Sequence, residues 1–311
     1  MNTRNCLTQR GLLGTFKYLV RGFLGIEKLQ KEVDTAFYFL NEYIDPSSLP
    51  PTKDENLRLL QLCDTQLLVI FDCVCRKYGF RYWLDYGTLL GAVRHRGFIP
   101  WDDDMDISMP REDYNRFIEN IPSEFSTYGF DVTVEPGRVG IGFKHQHTGI
   151  WLDVFPADKF YYSSEWTLVR KQLDNLYPQY RRSVLKNQDL AYSSVQKLFK
   201  KYFSHYFEGP DSFYFLSVDF FGNHRFYAVE EKVLYPLQTV QFEGISFPAP
   251  SCLQSYLTEL YGESFFMLPR TGILQHGSAS GRLPLSQWAL QNGIDMKEIL
   301  SYLKNVSQSI V

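Results

Sequence analysis

The chain has 311 residues, of which 44% are hydrophobic and 22% charged, so it is long enough to bury a large core without disulfides or a structural metal. These fractions exclude a disordered, collagen-like or coiled-coil protein. The formal net charge of −3 argues against a nucleic-acid binder, which normally carries a clear excess of basic residues. Five cysteines without regular spacing predict reduced core thiols, as in a cytoplasmic protein.

The first part of the chain is basic and amphipathic. Residues 1–31 contain six basic residues and one acid, with apolar residues between them, which predicts a helix. Such a helix can lie on an anionic membrane surface or pack against protein, and the sequence leaves both open. We expect residues 1–50 to form a helical extension, with peripheral membrane contact through residues 10–31 as a hypothesis.

Apolar periodicity and turn residues predict alternating helices and strands through the rest of the chain. Thr52 and Glu55 suggest a capping box ahead of a helix that ends at Gly79. The remaining predictions are strands over 80–85, 104–109, 130–135, 139–144 and 150–155, extended segments over 226–234 and 238–247, and helices over 87–95, 111–120, 250–261 and 296–305. This order indicates one mixed α/β (α+β) domain over residues 51–311, with a mostly helical insertion at 160–225.

Four aspartates at positions 102, 103, 104 and 106 form a dense acidic cluster. Unit charges about 4 Å apart repel by about 4 kcal/mol at an effective dielectric near 20, so the cluster favours bound cations. If residues 104–109 form a strand, Asp104 and Asp106 share one face while Met105 and Ile107 enter the core. Paired carboxylates suit Mg²⁺, whereas Ile107 stands where a calcium loop requires glycine. A solvated acidic turn is the alternative interpretation.

A phosphate-binding element is predicted just upstream of the acids. Gly87 and Thr88 lie between a strand and a helix, where exposed backbone N–H groups and the helix dipole attract phosphate, although a tight turn would explain them too. Arg94 and His95 follow on the helix and Lys144 lies on a later strand, and each is either a phosphate ligand or a solvated side chain. We predict that these five residues bind substrate.

A two-metal phosphoryl-transfer site needs a third acid to complete the ligand set or to deprotonate the attacking hydroxyl. Asp153 is the best candidate, because a lone aspartate in an apolar strand is costly unless it is paired or metal-bound. We predict that Asp104, Asp106 and Asp153 are catalytic and bind the metal. Whether Asp153 acts as a base or only as a metal ligand stays open.

These residues resemble the LicD family of bacterial phosphocholine transferases, which has fukutin-related ribitol-phosphate transferases as more distant members. The resemblance lies in the stretch Asp85-Tyr86-Gly87-Thr88-Leu89-Leu90-Gly91-Ala92-Val93-Arg94-His95, in Phe98-Ile99-Pro100-Trp101-Asp102-Asp103-Asp104-Met105-Asp106, in Asp153-Val154-Phe155-Pro156-Ala157-Asp158 and in Phe242-Glu243-Gly244. It covers residues 55–160 and 238–270 well and the rest of the chain little. It implies a nucleotidyltransferase-like mixed sheet flanked by helices, a catalytic domain over residues 51–311, and an insertion at 160–225 on the acceptor side.

The resemblance also implies an activity. The expected reaction is Mg²⁺-dependent or Mn²⁺-dependent transfer of phosphocholine, or of a related phospho-alcohol, from CDP-choline or a similar CDP-alcohol to a sugar hydroxyl. The acceptor would be a glycan precursor of teichoic acid, lipopolysaccharide or capsule, which can be lipid-linked. We therefore expect a cytoplasmic protein at the inner face of the cell membrane that binds no nucleic acid.

Two other functions remain open at the level of sequence. A nucleotidylyltransferase would use the same three acids to add NMP to a small molecule or protein, with release of pyrophosphate. A glycan-binding envelope-assembly protein with an inactive site would bind no donor in a metal-dependent way.

Overall fold

The computed structural model describes residues 22, 25–135, 138–143, 148–185, 209–216, 227–268, 293 and 295–310. The chain divides into two compact units. One consists of residues 1–48 and 267–273, and the other of residues 49–266 and 274–311.

The first unit contains helix α1 (Ile26–Tyr43) and a 3₁₀ turn at Pro46–Ser48. The helix follows Gly25, which has a left-handed conformation with a φ of 67°. Near the other end of the helix, the N–H of Leu268 donates to Asn41 Oδ1 at 2.8 Å. Most of the predicted basic helix, residues 1–21 and 23–24, lies outside the described residues, so membrane contact stays a prediction. None of the described helices has the length and apolar composition needed to cross a bilayer.

The second unit is built on a mixed sheet, as predicted. The strands are β1 (Trp83–Leu84), β2 (Asp106–Pro110), β3 (Phe130–Glu135), β4 (Arg138–Phe143), β5 (Trp151–Tyr162), β6 (Asp211–Leu216), β7 (Tyr227–Glu230), β8 (Gln238–Phe242) and β9 (Ile245–Ala249). The order in the main sheet is β1-β2-β5-β4-β3, with β6 paired to β5 and β7 paired to β6. The pair β2–β5 is parallel and the other pairs are antiparallel, while β8 and β9 form a separate hairpin.

Helices flank this sheet and contribute apolar side chains to the buried core. The helices of the second unit are α2 (Glu55–Tyr78), α3 (Tyr86–His95), α4 (Arg111–Asn120), α5 (Pro122–Thr127), α6 (Trp166–Leu185), α7 (Glu231–Leu234), α8 (Leu253–Tyr261) and α9 (Met296–Ile310). The apolar face of α2 is buried, and its Phe71 ring packs against Phe117 of α4 and Phe125 of α5. On another part of α2, Gln66 accepts a hydrogen bond from Ser307 of α9.

Several boundaries differ from the sequence predictions. Helix α2 is capped by Asp54, whose carboxylate accepts from two backbone N–H groups, and not by Thr52, which accepts from the N–H of Asp54 itself. Helix α8 ends at Tyr261 and has Gly262 as its C-cap, as predicted. Residues 231–234 form the short helix α7 and not the end of an extended segment.

The described part of the predicted mostly helical insertion at 160–225 contains both a helix and strands. Helix α6 lies there, but β5 continues to residue 162 and residues 211–216 form β6 of the main sheet. The reason is the run of three consecutive aromatic residues in β6, Phe213, Tyr214 and Phe215, which pack well on a pleated sheet. Residues 186–208 and 217–226 of this predicted insertion lie outside the described residues.

Candidate active site

The acidic cluster lies at the N-terminal end of strand β2 and in the residues just before it. Met105 and Ile107 are fully buried and Asp104 and Asp106 are partly buried, so the predicted alternation of side chains is present. The strand itself begins at Asp106, whereas the sequence predicted a strand that begins at Asp104. Asp104 therefore belongs to the connection that leads into the strand, together with the other two aspartates before it.

The parallel pairing of β2 with β5 brings two acids from distant parts of the chain together. Asp106 is the register partner of Asp153, and the N–H of Asp153 donates to the Met105 carbonyl at 2.8 Å. Burial raises the pKa of Asp106 well above its ordinary value, and the nearby carboxylates of Asp104 and Asp153 raise it further. The structure thus brings together the three acids that we predicted to act together.

Both carboxylate oxygens of Asp153 have donors. Arg138 Nη1 lies 2.5 Å from Oδ2, and the indole Nε1 of Trp151 lies 2.6 Å from Oδ1. The indole ring covers Gly140 and Gly142 of β4, where an added Cβ would lie 1.9 Å and 2.6 Å from ring atoms. Burial raises the pKa of Asp153, whereas these two donors act in the opposite direction. Asp153 is therefore held in a fixed orientation beside Asp106.

The connection before β2 carries three neighbouring carboxylates that could hold a cation. Asp102, Asp103 and Asp104 are a triplet in which one carboxylate oxygen of each lies within 4.8 Å of the others, among the residues that the structure describes. This triplet differs from the predicted set in that Asp103 and Asp102 accompany Asp104. An all-oxygen set of carboxylates matches the preference of Mg²⁺ and Mn²⁺ over softer metals. The surplus of negative charge around Asp106 makes the same residues fit a divalent cation.

Helix α3 begins beside these acids. A Cβ added to Gly87 would lie 3.0 Å from Asp102 Oδ2 and 3.9 Å from Asp106 Oδ2, so this turn of the helix faces the acidic cluster. Thr88 is buried, and its hydroxyl accepts the backbone N–H of Asp106 at 2.8 Å. Thr88 therefore fixes the start of β2 against α3, in addition to its predicted role in phosphate binding, which the structure leaves as a prediction.

Two of the three predicted basic ligands, Arg94 and His95, lie at the other end of α3. Arg94 is buried, donates to the Phe265 carbonyl at 3.2 Å and to His95 Nε2 at 2.9 Å, and lies within electrostatic reach of Asp102. Burial lowers the pKa of Arg94. Lys144 lies outside the described residues, so its predicted role stays a prediction.

A buried acid that sequence reasoning missed lies behind the cluster. Asp64 of α2 is fully buried, and its Oδ1 accepts the backbone N–H of Trp151 at 3.0 Å. No donor among the described residues reaches its Oδ2. Burial raises its pKa well above the ordinary value, and Asp104 and Asp103 raise it further. The signal in the sequence was an aspartate on the leucine stripe of a strongly periodic helix, where an apolar residue is expected.

A second missed acid, Asp85, caps helix α3. It is fully buried and accepts hydrogen bonds from the Tyr86 N–H, from Ser108 Oγ at 2.5 Å and from the Tyr256 hydroxyl at 3.0 Å, while Trp83 Nε1 donates to that hydroxyl. Burial raises the pKa of Asp85 to about 6. Tyr86 has a φ of 40°, a conformation unusual for a non-glycine residue. Strain of this kind concentrates at functional sites, which matches the position of α3 beside the acids.

The fold combines two carboxylates on adjacent parallel strands with a helix that begins next to them. Residues 79–184 match the family described as LicD/FKTN/FKRP, nucleotidyltransferase domain. This match over residues 79–184 confirms the resemblance to the LicD family that the sequence shows.

Similar proteins match the chain over short alignments. The lipopolysaccharide cholinephosphotransferase LicD of Haemophilus influenzae is 48% identical over 67 residues, which is 22% of this chain and 25% of that protein. An uncharacterized Rickettsia typhi protein, RT0683, is 33% identical over 111 residues, covering 32% of this chain and 36% of its own length. The mouse ribitol 5-phosphate transferase FKRP is 57% identical over 40 residues, covering 13% and 8%. The chain thus spans between about a twelfth and about a third of these relatives.

Proposed function

We propose that this protein is a phosphotransferase that moves a phospho-alcohol from a nucleotide-activated donor to a hydroxyl of a glycan. The donor would be CDP-choline or a similar CDP-alcohol, and the acceptor a sugar of a cell-surface glycan precursor. The observation that carries the proposal is the register of Asp106 with Asp153 on parallel strands, beside Asp104 and the start of α3. The names of the relatives support the class of reaction, since one transfers phosphocholine and another ribitol 5-phosphate.

A divalent cation, Mg²⁺ or Mn²⁺, fits the acids of this site. Asp104, Asp106 and Asp153 would hold it, and Asp102 and Asp103 are close enough to share in the binding. When bound, such a cation offsets the negative charge that develops on transferring phosphoryl groups.

The residues of the chain have separable tasks in this proposal. Thr88 holds the backbone of Asp106, while Arg138 and Trp151 orient Asp153. The first turn of α3 faces the acids and offers positive dipole charge to the donor phosphates. With its oxygens fixed by two donors, Asp153 is placed either to accept the proton of the acceptor hydroxyl or to complete the cation site.

A donor panel tests the proposal. The purified protein is mixed with CDP-choline, CDP-ribitol, CDP-glycerol or CTP, with Mg²⁺, with Mn²⁺ or with EDTA, and CMP and pyrophosphate are followed. We expect metal-dependent CMP release from one CDP-alcohol and none in EDTA. Release of pyrophosphate from CTP in its place would show a nucleotidylyltransferase. Absence of metal-dependent donor binding would indicate a glycan-binding protein without catalysis.

The Asp104→Asn variant provides the internal test of the site. We expect it to lose transfer while it keeps the melting temperature of the wild type, because Asp104 is partly exposed and lies outside the sheet. Asp113→Asn is the control, since Asp113 is a buried acid that is paired with Arg81 and Arg116 away from the cluster. Near-normal turnover by Asp104→Asn would overturn the assignment of the site.

A further inference from the structure

The turn between β8 and β9 carries a glutamate in an unusual conformation. Glu243 has a φ of 51° and Gly244 a φ of 79°, and Phe242 pairs with Ile245 across this two-residue turn. Turns with two positive φ values favour asparagine, aspartate or glycine, because other side chains adopt this conformation at a cost. A glutamate at this position therefore indicates that the side chain has a task elsewhere in the fold.

The Glu243 side chain binds two other parts of the chain. Its two oxygens accept from Arg58 Nη1 at 3.0 Å and Nη2 at 2.6 Å, a bidentate ion pair between residues 185 positions apart. Oε1 also accepts the N–H of Phe98 at 3.2 Å, and the Glu243 N–H donates to the Arg96 carbonyl at 2.9 Å. The turn is thus attached to the connection that runs from α3 to the acids.

The close contact between Glu243 and this connection depends on the residue types at positions 96 and 97. A Cβ added to Gly97 would lie 2.4 Å from Glu243 Oε1, so a side chain at this position would displace the glutamate. Arg96, immediately before it, has a φ of 60° and ends α3 in the left-handed conformation that glycine usually supplies. Both sides of the contact therefore adopt a backbone conformation that their residue types disfavour.

A chain of hydrogen bonds continues from this contact to the acidic residues. Arg58 Nη1 also donates to Gln61 Oε1 at 3.3 Å, and Gln61 Nε2 donates to the Asp102 carbonyl at 3.0 Å. Gln61 is fully buried on α2, so its amide has a fixed position. The hairpin turn is in this way connected to the backbone of the residues that form the cation site.

We infer that Glu243 is a positioning residue that, through Arg58 and Gln61, holds residues 97–104 in the geometry that binds the cation. The inference rests on the proposed function of the acidic cluster, and it assigns a role to the Phe242-Glu243-Gly244 motif. Residues that orient metal ligands from outside the ligand set commonly contribute ten-fold to a hundred-fold to metal affinity or activity.

Glu243→Asn separates the role of the side chain from that of the turn. Asparagine suits the turn but is too short to reach Arg58, so the hairpin keeps its conformation while the contact is lost. The matched control is Glu259→Gln, which breaks the pair of Glu259 with Arg170. The side chains of that pair are 21% and 27% exposed, against 13% and 26% for Glu243 and Arg58, so the two pairs are similarly buried.

Two measurements decide the inference. Hydrogen–deuterium exchange of residues 97–104 should become about ten-fold faster in Glu243→Asn and stay unchanged in Glu259→Gln. Mn²⁺ affinity, measured by electron paramagnetic resonance of the free ion, should fall by about ten-fold or more in the first variant alone. Arg58→Gln breaks the same pair from α2 and should repeat the pattern if Glu243→Asn does not fold.

Each outcome has a defined meaning. Wild-type exchange in residues 97–104 and wild-type Mn²⁺ affinity in both Glu243→Asn and Arg58→Gln would overturn the inference. Equal losses in the Glu259→Gln control would overturn it too, because the effect would then reflect general destabilisation. A wild-type protein that binds no Mn²⁺ would contradict the proposed cation site and the claim that Glu243 tunes it, while the exchange data would still decide whether Glu243 holds the connection.

Discussion

The acids at the two ends of the β2–β5 strand pair have different surroundings. At the end where β2 begins, Asp106 faces Asp153, with Asp104 within electrostatic reach. At the other end, Asp158 follows the last register pair and forms an ion pair with Arg111, whose Nη2 lies 2.8 Å from Oδ2. At one end of the strand pair an acid is therefore neutralised by an arginine, and at the other end several acids lie close to one another.

This difference separates structure from function within one sheet. A buried carboxylate that serves only stability is expected to have a cationic partner, as Asp158 does. The acids around Asp106 raise its pKa instead, and Arg138, which contacts Asp153, is a partly exposed cation. Perturbed carboxyl groups of this kind are typical of functional sites.

The largest expected effect comes from replacing one acid at each end. In Asp158→Asn, Arg111 loses the charge of its carboxylate partner in a mostly buried position, so we expect a loss of about 3 kcal/mol in the free energy of unfolding and near-normal transfer. In Asp106→Asn, we expect transfer to fall by a hundred-fold or more. Its melting temperature in EDTA should rise, because the repulsion from Asp104 and Asp153 is relieved.

Thermal melts in EDTA and CMP release on the same two variants check this contrast. If both variants lost stability to the same extent, the acids around Asp106 would be neutralised within the protein after all. If Asp158→Asn also lost transfer at full stability, the catalytic region would extend along the whole ladder.

The pH dependence of stability gives the next largest effect. The pKa of Asp85 is raised from 3.8 to about 6, so between these values the native protein holds a proton that the unfolded chain has released. Stability should therefore fall as the pH rises through this window, by up to about 3 kcal/mol from Asp85 alone. The raised pKa values of Asp106 and Asp64 act in the same direction.

Asp85→Asn isolates this contribution, because asparagine is an equally good helix cap. Urea unfolding in EDTA at pH 4 and pH 7.5 should show a smaller loss of stability in the variant than in the wild type. Parallel behaviour of the two proteins would mean that Asp85 ionises in the native state as it does in the unfolded chain.

Local patterns in the sequence were sufficient for much of the fold. Helix α4 and strand β3 have the predicted boundaries, because proline, glycine and a clear apolar period mark their ends. The alternation around Met105 and Ile107 predicted correctly that Asp104 and Asp106 stay out of the core. Strand β6 was missed because its residues form a strand through pairing with β5, a contact distant in sequence.

The site itself was predictable only in part, for a physical reason. An aspartate in an apolar strand is costly alone, which singled out Asp153 before its partner strand was known. The groups that orient the acids left no local signal, since Arg138 and Trp151 reach Asp153 only after β4 and β5 pair. The bond between Glu243 and Arg58 joins residues 185 positions apart and follows from tertiary structure alone.

A smaller effect is expected from Thr88, which links α3 to the acid end of the ladder. Thr88→Val removes the acceptor of the Asp106 N–H, and an unsatisfied backbone donor costs about 1–3 kcal/mol. Thr88→Ser keeps the hydroxyl and should stay within about 1 kcal/mol of the wild type. Urea unfolding of both variants measures this difference. Equal stability of the two would show that water replaces the hydroxyl, and that the acid end is open to solvent at this point.

The smallest effect, and the one that tests the acid end most directly, concerns Arg138. Its guanidinium occupies one oxygen of Asp153 and adds positive charge where a cation would bind. Arg138→Gln should therefore bind Mn²⁺ more tightly, by roughly three-fold to ten-fold, because the side chain is partly exposed and its charge is screened. Arg116→Gln removes the same charge beside Asp113 and should leave Mn²⁺ affinity unchanged. Weaker binding by Arg138→Gln would instead mean that the orientation which the arginine gives to Asp153 contributes more to cation binding than its positive charge takes away.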